Sequence, residues 1–96
     1  MFKDLDPLLH AQLRLQIISL LMTVEEASFN YLLEATGATK GNISTQINKL
    51  KEAEYITVRK QFKDNYPLTT CAITGKGKAA FAEYVKAIET YLKPKA

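Results

Sequence analysis

At 96 residues the chain has room for one domain and a small core. Its 47% hydrophobic and 24% charged residues are an ordinary globular mix, which excludes a disordered or fibrous chain, and a net charge of +3 is too small by itself to name an acidic partner. A single cysteine, Cys71, excludes an intrachain disulfide and a cysteine metal cluster, and it fits a reducing, cytoplasmic setting.

The N-terminal stretch MFKDLDPLLH has acids where a signal peptide has bases. The longest apolar stretch, IISLLM, is far too short to cross a membrane. The first helix is expected to start at Asp6-Pro7, because Asp accepts from free amides and Pro has no N–H to leave unpaired. It should run over 7–22. It carries two apolar stripes, Leu9, Leu13, Ile17, Leu20 and Leu21 on one side and Leu8, Leu15, Ile18 and Met22 on the other. A surface helix needs only one stripe, so the second should pack on a terminal helix or a second subunit.

A short connection follows, with space for a minimal strand. Ser28 is placed to cap a second helix whose Phe29, Leu32 and Leu33 point inward. Gly37 stands where a helix end favours a left-handed residue. Thr39 then caps a third helix, in which Ile43, Ile47 and Leu50 form the core face. From Tyr55 the period changes to two: Ile56, Val58 and Phe62 alternate with Thr57, Arg59 and Gln61, as in a half-buried strand. Lys63 to Pro67 is a turn, and Thr69, Cys71 and Ile73 share one face of a returning strand. Thr74 caps a last helix over 75–92, striped with Phe81, Tyr84, Val85, Ile88, Tyr91 and Leu92. The order helix, helix, helix, hairpin, helix is a mostly α fold with a two- to three-stranded wing, a winged helix-turn-helix in one domain spanning 1–96.

Charge is distributed unevenly along this order. Residues 1–39 are net negative, with Lys3 and Arg14 against Asp4, Asp6, Glu25, Glu26 and Glu34. Residues 40–63 are net positive, with Lys40, Lys49, Lys51, Arg59, Lys60 and Lys63 against Glu52 and Glu54. The positive part begins with the third helix.

Turning about 100° per residue from Ile43 puts Gly41, Thr45, Asn48 and Glu52 opposite the core, flanked by Lys40, Asn42, Ser44 and Lys49. A helix that enters the major groove must be slim and must offer donors and acceptors, and its N-terminal amides favour a phosphate. Asn42, Ser44, Thr45 and Asn48 are therefore the base-reading candidates, with Lys40 and Lys49 on phosphate. A plain solvated helix face is polar too; the tight turn before this helix and the hairpin after it are what point to DNA.

Three runs, LDPLLHAQLRLQIISLLM, FNYLLEATGATKGNISTQINKLKEAEYI and TTCAITGKGKAAFAEY, resemble the small winged-helix regulators related to the MarR and ArsR groups. The resemblance covers nearly the whole chain and is most specific from Leu33 to Thr45 and from Leu50 to Ile56. It implies a transcriptional regulator, a third helix in the major groove, a wing over the flanking backbone, and a homodimer built by the first and last helices. The implied dimer surface is Leu8, Leu15, Ile18, Met22, Phe81, Tyr84, Val85, Ile88, Tyr91 and Leu92. The wing departs from the pattern: it is usually basic, whereas here Asp64-Asn65-Tyr66-Pro67-Leu68 follows the one cation Lys63. Arg59 and Lys60 on the preceding strand, with Lys63, Asn65 and Tyr66, complete the expected DNA-contacting set.

Other features look chemical and have simpler readings. His10 is the only histidine, without a positioned acid–base partner in the sequence, and reads as a surface or interface side chain. Cys71 sits at an inward strand position and reads as a small hydrophobe, with redox sensing as the sharper alternative. Thr74-Gly75-Lys76-Gly77-Lys78 lacks the phosphate-loop spacing and reads as a capped helix start. No catalytic constellation, metal set or cofactor motif stands out. The expected partners are double-stranded DNA and a second copy of the chain, with a protein-interaction module that has lost DNA binding as the alternative.

Overall fold

The computed structural model describes residues 1–94. In chain order they form α1 (Gln12–Leu21), β1 (Ala27–Ser28), α2 (Phe29–Thr36), α3 (Lys40–Glu52), β2 (Ile56–Lys63), β3 (Tyr66–Ile73) and α4 (Gly75–Leu92). The strands make one antiparallel sheet in the order β1-β3-β2. The minimal β1 pairs Ala27 with Cys71, and the long β2–β3 hairpin runs from Ile56 opposite Ile73 to Lys63 opposite Tyr66.

Local chemistry sets most boundaries. The Ser28, Thr39 and Thr74 hydroxyls accept from the amides of Tyr31, Asn42 and Gly77 and start α2, α3 and α4. Gly37 ends α2 at φ 70°, where a side chain would be strained. The hairpin closes through a two-residue turn, with Asp64 at φ 52° and Asn65 at φ 67°. Positive φ at both central positions is the type I′ pattern, to which Asp and Asn are suited.

The start of α1 differs from the expectation. Asp6 caps a separate turn: its Oδ1 accepts from the Leu8 amide at 2.9 Å and its carbonyl from the His10 amide at 2.8 Å. Ala11 is then extended, at φ −148° and ψ 127°, and regular helix begins only at Gln12 rather than at Pro7. Fully buried Leu9 fastens the turn to the core, and Arg14 Nε donates to the Leu8 carbonyl at 2.6 Å. The chain thus leaves helical geometry so that Leu9 and α1 can both reach the core.

Leu9, Ile17, Ile18, Leu21, Leu32, Ile43, Leu50, Ile56 and Cys71 are the fully buried side chains at its centre. Each buried Leu or Ile stabilises by about 1.5–3 kcal/mol relative to exposure. α4 enters this core tightly at one end. A Cβ on Gly77 would collide with the Tyr55 carbonyl and the Ile73 side chain. The Thr74 amide donates to the same Tyr55 carbonyl at 3.0 Å, and the Thr74 hydroxyl donates to the Glu54 carbonyl at 2.7 Å. The glycines and threonine of TGKGK therefore dock a helix. Further along α4, Tyr84 and Ala87 are also buried, while Val85, Tyr91 and Leu92 are exposed, and the molecule measures 59 × 25 × 21 Å.

Candidate nucleic-acid interface

α3 presents one side to the core and the other to solvent. Ile43, Ile47 and Leu50 are buried, while Lys40, Gly41, Asn42, Ser44, Thr45, Asn48 and Lys49 are all exposed. Among the described residues, no element covers this face. Nothing lies within 4 Å of where a Gly41 Cβ would stand, so the free protein does not require glycine there. A glycine that packing does not demand, at the slim end of a polar helix, suits the close approach of a second backbone.

Two of the candidate side chains are already engaged on the helix. The Thr45 hydroxyl donates to the Gly41 carbonyl at 3.0 Å, which leaves its oxygen as an outward acceptor and its methyl as an apolar contact. The Asn42 Oδ1 accepts from Gln46 Nε2 at 3.1 Å. Ser44 and Asn48 line a groove with Phe29, Ile47, Val58, Lys60 and Thr69, between α3 and the hairpin.

The hairpin divides the remaining candidates between its two faces. Residues opposite each other across an antiparallel pair share a face, and faces alternate along the strand. Ile56, Val58, Lys60 and Phe62 lie on the core side, paired with Ile73, Cys71, Thr69 and Pro67. Lys60 accordingly joins Ser44 and Asn48 in the groove. Arg59 and Lys63 lie on the opposite face with Thr70 and Tyr66. Arg59 Nη2 is 3.3 Å from Glu26 Oε2, an exposed ion pair. Arg59, Lys60, Lys63, Asn65 and Tyr66 are all exposed, and of these Lys60 is the one that shares a groove with the α3 set.

Phe62, expected inward, is 80% exposed, because the hairpin outruns the core it starts from. With Tyr66 at 75% exposure and Pro67 also exposed, the wing tip is aromatic and carries Asp64 at its turn.

The expected dimer surface also needs correction. Ile18 is 0% exposed and Tyr84 7% exposed in the single chain. Both are spent on the chain's own core and have almost no surface for a partner to cover. Leu8, Leu15, Phe81 and Ile88 are half-buried, and Met22, Val85, Tyr91 and Leu92 are exposed. Beside them the N-terminal segment runs along α4: the Lys3 amide donates to Thr90 Oγ1, the Tyr91 hydroxyl donates to the Lys3 carbonyl, and the Phe2 and Tyr91 rings stand 5.0 Å apart.

The remaining reactive groups have structural roles. Cys71 is fully buried between β1 and β2, and burial pushes its thiol up to about 11, away from the thiolate that redox chemistry needs. His10 Nδ1 is 3.1 Å from the Tyr84 hydroxyl and fastens the first turn to α4. Tyr55, where α3 passes into β2, donates its hydroxyl to Asp6 Oδ2 at 2.5 Å. Burial first, and then the Asp6 carboxylate, push that phenol up to about 12.

A helix-turn-helix whose second helix offers an uncovered polar side, followed by a two-stranded wing, is the architecture of a winged-helix DNA-binding protein. Residues 13–92 match the family model described as a winged helix DNA-binding domain, and the chain belongs to that family. It is 35% identical over 72 residues to an uncharacterized protein of Methanocaldococcus jannaschii, covering 75% of this chain and 78% of that one. Among solved structures it is similar to a transcriptional regulator homologue from Pyrococcus horikoshii OT3, with a TM-score of 0.82, 22% identity, and coverage of 88% of this chain and 84% of that one. A protein of M. tuberculosis superposes with a TM-score of 0.70 at 20% identity, over 88% of this chain and 81% of the other. The winged-helix family that the sequence resembles is the family found.

Proposed function

We propose that the protein is a sequence-specific transcriptional regulator that acts in the cytoplasm as a homodimer on a pseudo-palindromic DNA site. The observation that carries this reading is the uncovered face of α3, where Gly41, Asn42, Ser44, Thr45 and Asn48 stand together in solvent. The helix enters the major groove by this face. Lys40 and Lys49 meet phosphate, and Lys60 reaches the backbone beside the groove. Occupancy of promoter DNA, without chemistry, is the mechanism.

The partner surface is the outer part of α4 with residues in and beside α1: Met22, Val85, Tyr91 and Leu92, edged by Leu8, Leu15, Phe81 and Ile88. An elongated molecule has a long side to pair, and the exposed apolar groups Val85, Tyr91 and Leu92 on one helix favour association. Two-fold pairing there would set recognition helices on one side of the duplex, with half-sites about 34 Å apart or a small multiple of that.

A second reading has one observation behind it. The wing tip, with exposed Phe62, Tyr66 and Pro67 around Asp64, suits a protein surface better than a phosphate backbone. Selection of bound duplexes from a random pool, with the mass of the protein measured by light scattering, separates the two readings. A recovered two-fold motif and a dimeric mass support the regulator. No enrichment, and no binding of random duplex at low salt, favour the interaction module.

A further inference from the structure

A chain of hydrogen bonds runs from inside the domain to the exposed face of α3. Arg14 is the only cation in α1 and is half-buried. Its Nε donates to the Leu8 carbonyl at 2.6 Å, which holds the guanidinium plane in place. Its Nη1 donates to Gln46 Oε1 at 2.5 Å. Gln46 Nε2 then donates to Asn42 Oδ1 at 3.1 Å.

The sense of this chain is set by its inner end. A guanidinium has only N–H groups and can only donate. Gln46 must meet it with its oxygen, so its amide nitrogen is the group that faces Asn42. Asn42 must in turn meet that nitrogen with its own oxygen. Its NH2 group is then the end turned away from Gln46, at an exposed position in the first turn of α3. Neither amide can rotate without setting two donors, or two acceptors, against each other.

We propose that Arg14 and Gln46 are positioning residues that fix which hydrogen-bonding edge Asn42 offers to DNA. This rests on the reading of α3 as the base-contacting helix. Asn42 acts as a donor, so it favours base edges that accept in the major groove, O6 and N7 of guanine or O4 of thymine. An asparagine free to turn would instead pair bidentately with adenine, accepting from N6 and donating to N7. The specificity of this position is thereby decided by residues that do not touch the DNA.

Gln46→Glu tests the proposal because it reverses the sense of the chain while conserving shape. A carboxylate accepts from Arg14 with one oxygen and from the Asn42 NH2 with the other, which turns Asn42 Oδ1 outward. Binding sites are selected from a random duplex pool with the parent, Gln46→Glu, Gln46→Ala and Asn42→Ala, each first confirmed folded by its thermal melt. Asn42→Ala identifies the base pair concerned as the position where preference is lost. At that position the parent prefers guanine or thymine. Gln46→Glu moves the preference by about ten-fold towards adenine or cytosine, whose exocyclic amines donate, and Gln46→Ala flattens it. The added carboxylate also lowers affinity for all sequences alike, an effect visible at every position and so distinct from a change of preference. A Gln46→Ala motif identical to the parent's overturns the proposal, as does a Gln46→Glu motif that is unchanged or weakened evenly. If the parent selects no motif at all, the base-contacting role of α3 fails and this inference falls with it, a result distinct from a parent motif that the Gln46 variants leave intact.

Discussion

α3 and the wing are the two parts of a winged helix that meet DNA, and in this protein they are built on different principles. α3 is slim and polar, and one of its outward amides, Asn42, is held from within the domain through Gln46 and Arg14. The wing is long and aromatic and carries an acid at its tip, with its cations split between two faces. Charge reads any duplex, because each neutralised phosphate releases counterions whatever the sequence. Hydrogen bonds to base edges read one sequence. On the function proposed above, a base-reading helix beside a weakly basic wing would place discrimination ahead of bulk affinity. The non-specific affinity of this protein should be low, and its dependence on salt shallow, with Lys40, Lys49 and Lys60 as the main contributors.

The largest test of that contrast is Asn48→Ala. Asn48 shares the groove with Ser44 and Lys60 and is free to reach a base. Its loss should cost about 1–3 kcal/mol of discrimination at one base pair, read as flattening of one column in a selected motif. A variant that still selects the parental motif assigns Asn48 to solvent. Gly41→Ala is next in size and separates stability from binding. No contact opposes the added methyl, and exchanging Gly for Ala in a helix stabilises by up to about 1 kcal/mol. The thermal midpoint should hold or rise while DNA affinity falls, because the methyl stands between two backbones. Affinity that is unchanged would mean that α3 does not approach the duplex at its N-terminal end.

Lys60→Ala and Arg59→Ala then compare the two faces of one strand. Removing Lys60 should lower the salt slope of binding by about one unit, for every sequence alike. Removing Arg59 should leave the slope where it was, since it lies on the far face and pairs with Glu26. Equal effects of the two substitutions would show that the hairpin twists enough to bring both faces to the backbone.

The same contrast marks how far the sequence could be read. The caps Ser28, Thr39 and Thr74, the left-handed Gly37 and the period of Ile43, Ile47 and Leu50 are local signals, and the elements that depend on them stand where expected. The exposed set on α3 was legible for the same reason, since one helical period separates core from solvent. Errors came where tertiary structure overrides a local signal. Asp6-Pro7 is a good cap, but it caps a turn that the core position of Leu9 separates from α1. Phe62 keeps the period of its strand after the core has ended. Ile18 and Tyr84 belong to stripes that looked free and are used within the chain. The partnership of Arg14 with Gln46 joins positions far apart in sequence. Its only local traces are a lone cation on an apolar helix and the i, i+4 spacing of Asn42 and Gln46.

The joint between the two regions gives the smallest effect. Tyr55 lies between the end of α3 and the start of β2, preceded by Glu54 in a left-handed conformation at φ 65°. Its carbonyl receives the Thr74 amide, its hydroxyl donates to Asp6, and the Lys76 ammonium stands 5.9 Å from the centre of its ring. The joint between helix and wing is thus tied to the first turn through a phenol that must stay protonated to donate. In the folded chain this phenol is pushed up to about 12 from its ordinary value of 10.0, by burial and then by the Asp6 carboxylate. The unfolded chain releases the proton first as pH rises, so the folded state holds more protons between these values, and stability falls with rising pH across that window. Below it the contribution is fully present. Thermal melts from neutral pH upwards should show a midpoint that begins to decline near pH 9.0, where the raised Cys71 thiol starts to contribute, and that falls more steeply from pH 10.0, where Tyr55 adds its part. Tyr55→Phe should melt lower than the parent at neutral pH, having lost the bond to Asp6, and should lose less on going alkaline. If parent and variant decline in parallel, the hydroxyl of Tyr55 does not couple the helix–wing joint to pH.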